Sequence, residues 1–183
     1  MLRTIRIWVS LAVAVMACGR IAFDPLDDAR PAIDTPIDPC TGVDVAGCTI
    51  VPCAALPGCL LYCDQAVSLN WPDAQADCAA RGGHIACLPT QAAIDCVVAG
   101  RGTSPGTWLG LVQLTSTTLA ADWTWQCDGS TFNSIGWAPG EPNDSGATTG
   151  TEDGDEQCGA LVVAGFNDGR CTIDTGDWAC EVP

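Results

Sequence analysis

Trp137-Ala138-Pro139-Gly140-Glu141-Pro142-Asn143-Asp144, then Glu156-Gln157-Cys158 beyond an acidic Gly/Thr-rich run, then Phe166-Asn167-Asp168-Gly169-Arg170-Cys171: this stretch decides how the chain is read. Five of its side chains carry hard oxygen donors: Glu141, Asn143, Glu156, Asn167 and Asp168. Three are anionic and two are neutral amides. Ca²⁺ takes six to eight oxygen ligands and tolerates irregular geometry, so it suits such a set. Without an ion, Glu141, Glu156 and Asp168 would crowd like charges into one small volume and the loop would open.

The order of these residues resembles the long loop region of C-type lectin domains. There a Glu-Pro-Asn triplet, a Glu two residues before a cysteine, and a Trp-Asn-Asp three residues before a second cysteine build one calcium site. Here the triplet is Glu141-Pro142-Asn143, Glu156 stands two before Cys158, and Asn167-Asp168 precedes Cys171. Phe166 takes the place of the Trp as an apolar anchor, and the segment from Asn143 to Glu156 is several residues longer than usual. The resemblance implies that Glu141, Asn143, Glu156, Asn167 and Asp168 are both the metal ligands and the sugar-binding residues. In the family the Glu-Pro bond is usually cis and aims both flanking side chains at the ion. Two vicinal hydroxyls of a hexose complete its shell, with Glu accepting and Asn donating hydrogen bonds. Glu-Pro-Asn goes with mannose-type sugars bearing equatorial 3- and 4-hydroxyls, whereas galactose-type members carry Gln-Pro-Asp. Asp144 belongs to a possible accessory calcium site, but Gln113, Thr117 and Gln157 stand where its other carboxylates would be. One principal site is therefore expected.

The whole chain narrows the setting. Its 183 residues carry 22 acids against seven arginines and no lysine, a net charge of −15. A surface of that sign repels nucleic acid and anionic lipid. Thirteen cysteines without a single Cys-x-x-Cys pair point to disulfides formed in an oxidising compartment rather than to zinc. Export is supplied by residues 1–17, where Arg3 and Arg6 precede the apolar run Ile7 to Ala17, too short for the roughly 20 residues that span a bilayer. Val15-Met16-Ala17-Cys18 resembles a bacterial lipobox, which makes Cys18 the lipidated N-terminus of an outer-membrane or cell-surface lipoprotein of a Gram-negative bacterium. The alternative is an ordinary cleavage site with Cys18 free. Removing Cys18 from the count leaves twelve cysteines, an even number. Acyl chains contribute about 0.8 kcal/mol of membrane affinity per buried methylene. Residues 18–39, broken by Pro25, Pro31, Pro36 and Pro39, read as a semi-extended tether, with local docking of Ile21, Phe23 and Leu26 as the alternative.

Residues 40–63 hold five cysteines among Gly and Pro, a stapled extension in which Leu60 to Cys63 is the first main strand. The family's long form has a disulfide here, which implies Cys48–Cys59. Trp71 to Arg81 has helix punctuation at both ends: Asn70 as cap, Pro72 in the first turn, Gly82-Gly83 as stop. Trp71, Ala74, Cys78 and Ala79 share its inward face. Trp71 through Ile85 resembles the first helix of the lectin fold and its Gly-Gly-His turn, so His84 reads as a turn residue rather than a base or ligand. A second helix is expected from Thr90 to Ala99, with Ala93, Ile94, Val97 and Val98 inward, and Cys87 and Cys96 as a possible pair. Thr107 to Val112, Trp123 to Trp125, Cys158 to Val163 and Asp177 to Val182 read as strands. Tryptophans 108, 123, 125 and 137 are read as core, with a sugar-stacking platform as the minor alternative. The resemblance also assigns Cys78–Cys180 and Cys158–Cys171, and leaves the partners of Cys40, Cys53, Cys63, Cys87, Cys96 and Cys127 open.

These readings amount to a disulfide-rich α+β chain with a C-type lectin-like fold over residues 64–183, two helices flanking small antiparallel sheets and a long calcium-binding loop region. The function they imply is calcium-dependent binding of glycans or glycoconjugates. The second reading is a calcium-stabilised adhesion module for a protein or other non-sugar ligand. An enzyme, with Glu141 and Glu156 as a glycosidase pair, is disfavoured because both acids are already claimed as ligands and one histidine offers no Ser-His-Asp order.

Overall fold

The computed structural model describes residues 38–64, 67–115, 122–133, 136–144, 155–174 and 176–183. The export signal, nearly all of the tether, Cys18 and Thr117 lie outside them.

Strand β1 (Cys48–Val51) turns into β2 (Cys59–Cys63), and helix α1 (Trp71–Ala80) leads into the two-residue β3 (His84–Ile85). Helix α2 (Gln91–Gly100) is followed by β4 (Gly106–Gln113), β5 (Trp123–Trp125), β6 (Cys158–Val162), β7 (Gly165–Gly169) and β8 (Asp177–Val182). All eight strands join one sheet, whose main path runs β1-β2-β8-β4-β6-β7, with β3 on β8 and β5 on β4. The small antiparallel sheets expected from sequence are thus fused. The join is the parallel pairing of β4 with β8 at Thr107↔Asp177 and Trp108↔Trp178; the other ladders are antiparallel.

Alternation along the strands sends successive side chains to opposite faces and builds a core on each. Leu60, Tyr62 and Ala179 face α2, the tryptophans of β5 and Phe166, while Leu61, Trp178 and Cys180 face α1, Trp71 and Trp108. Tryptophans 108, 123 and 125 are buried and Trp137 packs against the cluster that holds Trp123 and Trp125, so these rings are core. Both helices begin where their caps place them. Asn70 Oδ1 accepts the Asp73 N–H at 3.0 Å and Thr90 Oγ1 accepts the Ala93 N–H at 3.2 Å. Their inward faces are narrower than expected: Ala79 on α1 is exposed, and Val98 on α2 is 48 % exposed. The α2 stripe ends at Val97, with Val98 beside a solvent-facing groove between the helix and the β6–β7 turn.

Six disulfides use all twelve cysteines of the described residues: Cys40–Cys59, Cys48–Cys63, Cys53–Cys96, Cys78–Cys180, Cys87–Cys127 and Cys158–Cys171. Two expected pairs are corrected. Cys48 is joined to Cys63 rather than Cys59, because β1 and β2 pair with Cys48 directly opposite Cys63. Cys87 is joined to Cys127 rather than Cys96, since Cys87 lies in the core while Cys96 sits on the side of α2 that meets the β1–β2 connection. Strand β2 is buried along its whole length and pairs with β8 on its other side, so residues 59–63 belong to the main sheet.

Candidate functional site

The site is carried by the β6–β7 hairpin, the edge of the sheet farthest from β1. Its register sets Gly159 opposite Asp168, Ala160 opposite Asn167 and Leu161 opposite Phe166. Phe166 is the anchor. It is 1 % exposed, and its ring meets Trp125, Phe132 and Trp137 edge-on at centroid distances of 6.2, 5.0 and 6.4 Å. Its backbone binds the incoming segment from both sides: Phe166 N–H donates to Gly136 O at 2.9 Å and Phe166 O accepts the Ala138 N–H at 2.8 Å. This crossing requires glycine at 165, where φ is 141° and a Cβ would collide with the Gly136 carbonyl. Trp137 therefore lies beside β7, and the chain turns back at once, with Glu141 N–H donating to Ala138 O at 3.0 Å. The Glu141-Pro142 peptide is cis.

Glu141 and Asp168 meet at this turn. Asn143 N–H donates to Asp168 Oδ1 at 3.3 Å and Asp144 N–H to Asp168 Oδ2 at 2.8 Å, which fixes the Asp168 carboxylate beneath the triplet. Burial, and then the adjoining Asp168 carboxylate, push the Glu141 carboxyl up to about 7, with the Asn143 N–H pulling the other way. Glu141 Oε2 is buried without a hydrogen-bond partner. Glu156 is 7 % exposed and reaches the cluster through its backbone, its N–H donating to Asp144 Oδ1 at 3.0 Å. Asn167 donates its Nδ2 to the Asp168 carbonyl, which leaves Oδ1 as the acceptor it offers a cation. The Cys158–Cys171 disulfide closes the hairpin beside these residues.

The structure thus brings Glu141, Asn143 and Asp168 into direct contact, ties Glu156 to them through Asp144, and keeps Asn167 next to Asp168 on β7. Two nearby carboxyls, one with an orphaned buried oxygen, fit a hard divalent cation, which would supply both the missing contact and the missing charge. Another cluster with metal-ligand atoms, Cys48, Cys63 and Asp77, is no such site. Its two sulfurs are joined to each other, and Asp77 is spent on Arg81, at 2.8 and 3.1 Å, and on the Trp178 indole at 2.9 Å.

Sequence reasoning gave Asp144 only an accessory part. In the fold it is 3 % exposed, holds a left-handed φ of 47°, and links two of the expected ligands. The signal was available, because Asp tolerates that conformation and its short side chain bonds to nearby backbone. Arg170 was also passed over. Asp174 holds it at 2.9 Å, and that hydrogen bond first, then the charges of Asp174, Asp155 and Glu156, raise its pKa.

Comparison with known proteins places the fold in a family. The family profile described as "Lectin C-type domain" matches residues 67–182. "C-type lectin domain family 4 member M" of Nomascus concolor is 38 % identical over 80 residues, 42 % of this chain and 17 % of that protein. The chain therefore matches about a sixth of that relative's length. Among solved structures, the C-type lectin domain of murine dendritic cell inhibitory receptor 2 in complex with N-glycan superposes with a TM-score of 0.54 at 24 % identity, covering 68 % of this chain and 89 % of that one. The mouse scavenger receptor C-type lectin carbohydrate-recognition domain does so with a TM-score of 0.52 at 23 % identity, covering 68 % and 92 %. Those likenesses speak for the fold, and the profile match across well over half of the chain decides the rest: this protein belongs to the C-type lectin domain family, whose members typically bind Ca²⁺ and are generally binding proteins rather than enzymes.

Proposed function

We propose that this chain is a calcium-dependent glycan-binding module, with Glu141, Asn143, Glu156, Asn167 and Asp168 holding Ca²⁺ and presenting it to mannose-type hexoses. The observation that carries this reading is the contact of Glu141 with Asp168, two carboxyls whose mutual repulsion a bound cation would relieve, beside an Oε2 that has no partner. Bound calcium supplies coordination positions for two vicinal hydroxyls. The protein's own part is to orient them. The Glu141 carboxylate accepts from one hydroxyl and the Asn143 amide donates to the other, the layout that in the family goes with equatorial 3- and 4-hydroxyls. A single shallow site binds weakly, so useful retention on a glycan comes from many copies acting together. Export through residues 1–17, lipidation at Cys18 and display from an outer membrane or cell surface on a tether of residues 18–39 complete the proposal. The pairing of all twelve remaining cysteines among themselves supports it.

The test is retention on immobilised mannose. The wild type is expected to bind in millimolar Ca²⁺ and elute with chelator, and Asn143→Asp to pass through. Retention that ignores chelator, or survives Asn143→Asp, moves the site elsewhere. Calcium-dependent stabilisation without retention on mannose or on a glycan array favours the non-sugar adhesion reading.

A further inference from the structure

We infer that Asp144 is a positioning residue for this site, a clasp that holds Glu156 against Asp168 whether or not an ion is bound; its link to calcium rests on the function proposed above. Asp144 ends the Glu141 turn, and the chain then runs through ten residues before Asp155. Closing a connection of that length costs chain entropy, so a contact must hold its two ends together. Asp144 does so with opposite sides of the same residue. Its N–H donates to Asp168 Oδ2 at 2.8 Å, and its Oδ1 accepts the Glu156 N–H at 3.0 Å, twelve residues on. Three segments that are separate in sequence, the triplet turn, the return to β6 and strand β7, are thereby fastened at one point. Past Glu156, Gln157 O accepts the Gln113 N–H at 2.9 Å and the Cys158–Cys171 disulfide ties β6 to the chain just beyond β7.

The position also demands this residue type. At a φ of 47° most side chains are strained, whereas Asp, Asn and Gly are tolerated. Of these only Asp and Asn carry an acceptor one carbon from Cα. The second oxygen, Oδ2, is buried with no partner, so the charge of Asp144 and its hydrogen bond are separable contributions. A clasp needs the Oδ1 acceptor and is indifferent to the charge, whereas a carboxylate that binds calcium itself also contributes its charge, which the Asn amide lacks.

Asp144→Gly removes the acceptor and keeps the backbone conformation available, while Asp144→Asn keeps the acceptor and removes the charge. The first measurement is amide hydrogen exchange in chelator, where no ion contributes. The Glu156 amide is expected to exchange at least about tenfold faster in Asp144→Gly and within about threefold of wild type in Asp144→Asn, with the β2 and β8 amides unchanged in both. The second is calcium titration by calorimetry. Loss of a group that orients a ligand typically weakens metal binding about 10- to 100-fold, expected here for Gly, with Asn within about threefold of wild type. Unchanged Glu156 exchange in Asp144→Gly overturns the clasp. So does an Asn variant that loses calcium as fully as the Gly variant, because the charge would then be what matters. A wild type that binds no calcium sinks the proposed function instead, and the exchange experiment still decides the clasp.

Discussion

Phe166→Ala is expected to destabilise the domain far more than a single edge-strand residue ordinarily would. Phe166 is 1 % exposed and faces three aromatic rings at 5.0 to 6.4 Å. Truncating a buried Phe costs about 3–5 kcal/mol, and ring pairs of this geometry add about 0.5–1.5 kcal/mol each, not independently, so about 4 kcal/mol is expected. With a urea dependence of about 2 kcal/mol per molar, the unfolding midpoint falls by about 2 M. The six disulfides stay closed in both proteins and chelator is present throughout, so neither cross-links nor ion binding contributes to the difference. Tryptophan fluorescence reports the transition, since Trp125 and Trp137 line the cavity left behind. Phe166→Leu keeps most of the apolar volume but no ring edge, and is expected to show about a third to a half of the shift. A midpoint drop below about 0.5 M for the alanine variant refutes the assignment of Phe166 as the anchor of the site, as does a leucine variant as damaged as the alanine one.

Alkaline pH tests the far end of the sheet. Burial first, then the Asp177 carboxylate that accepts its hydrogen bond at 2.6 Å, raise the Tyr62 phenol from 10.0 to about 12. The folded state thus holds its proton longer than the unfolded chain: the stabilisation is whole below pH 10 and is lost as pH rises towards 12, at most about 2–3 kcal/mol. Denaturation midpoints on either side of that window are expected to differ in the wild type and to converge in Tyr62→Phe; an equal slope in the variant counts against it. For the anchor, Cys18→Ser is expected to move the protein from the membrane fraction to the soluble one and to abolish acyl labelling, and a variant still labelled and sedimenting with membranes excludes Cys18 as the modified residue.

Local chemistry made much of this fold legible in the sequence. Asn70, Pro72 and Gly82 bracket α1 because capping and chain reversal are decided by a few neighbouring residues. The triplet, Glu156 and the Asn167-Asp168 pair stood out because oxygen-bearing side chains in that order resemble the loop region of the family. Disulfide partners outside the family pattern were not. Cys48 finds Cys63 through the register of β1 on β2, and Cys87 finds Cys127 through the packing of the core, both properties of the assembled sheet. The outward turn of Val98 is similar: helical periodicity marks a stripe, but the neighbouring strands set its width. Asp144 escaped because its importance lies in two backbone hydrogen bonds to residues 12 and 24 positions away, which no spacing rule encodes.

The cross-linking of β1, β2 and β8 has a mechanical consequence. A pull entering at Cys40 passes directly into β2 through Cys59, while Cys48–Cys63 bolts the β1–β2 hairpin shut. From β2 the load is shared in shear along five residue pairs with β8, itself riveted to α1 by Cys78–Cys180. Tension drawn from the N-terminal side thus enters at one margin of the sheet, while the Glu141–Asp168 cluster hangs from the other, with β8, β4 and β6 between them.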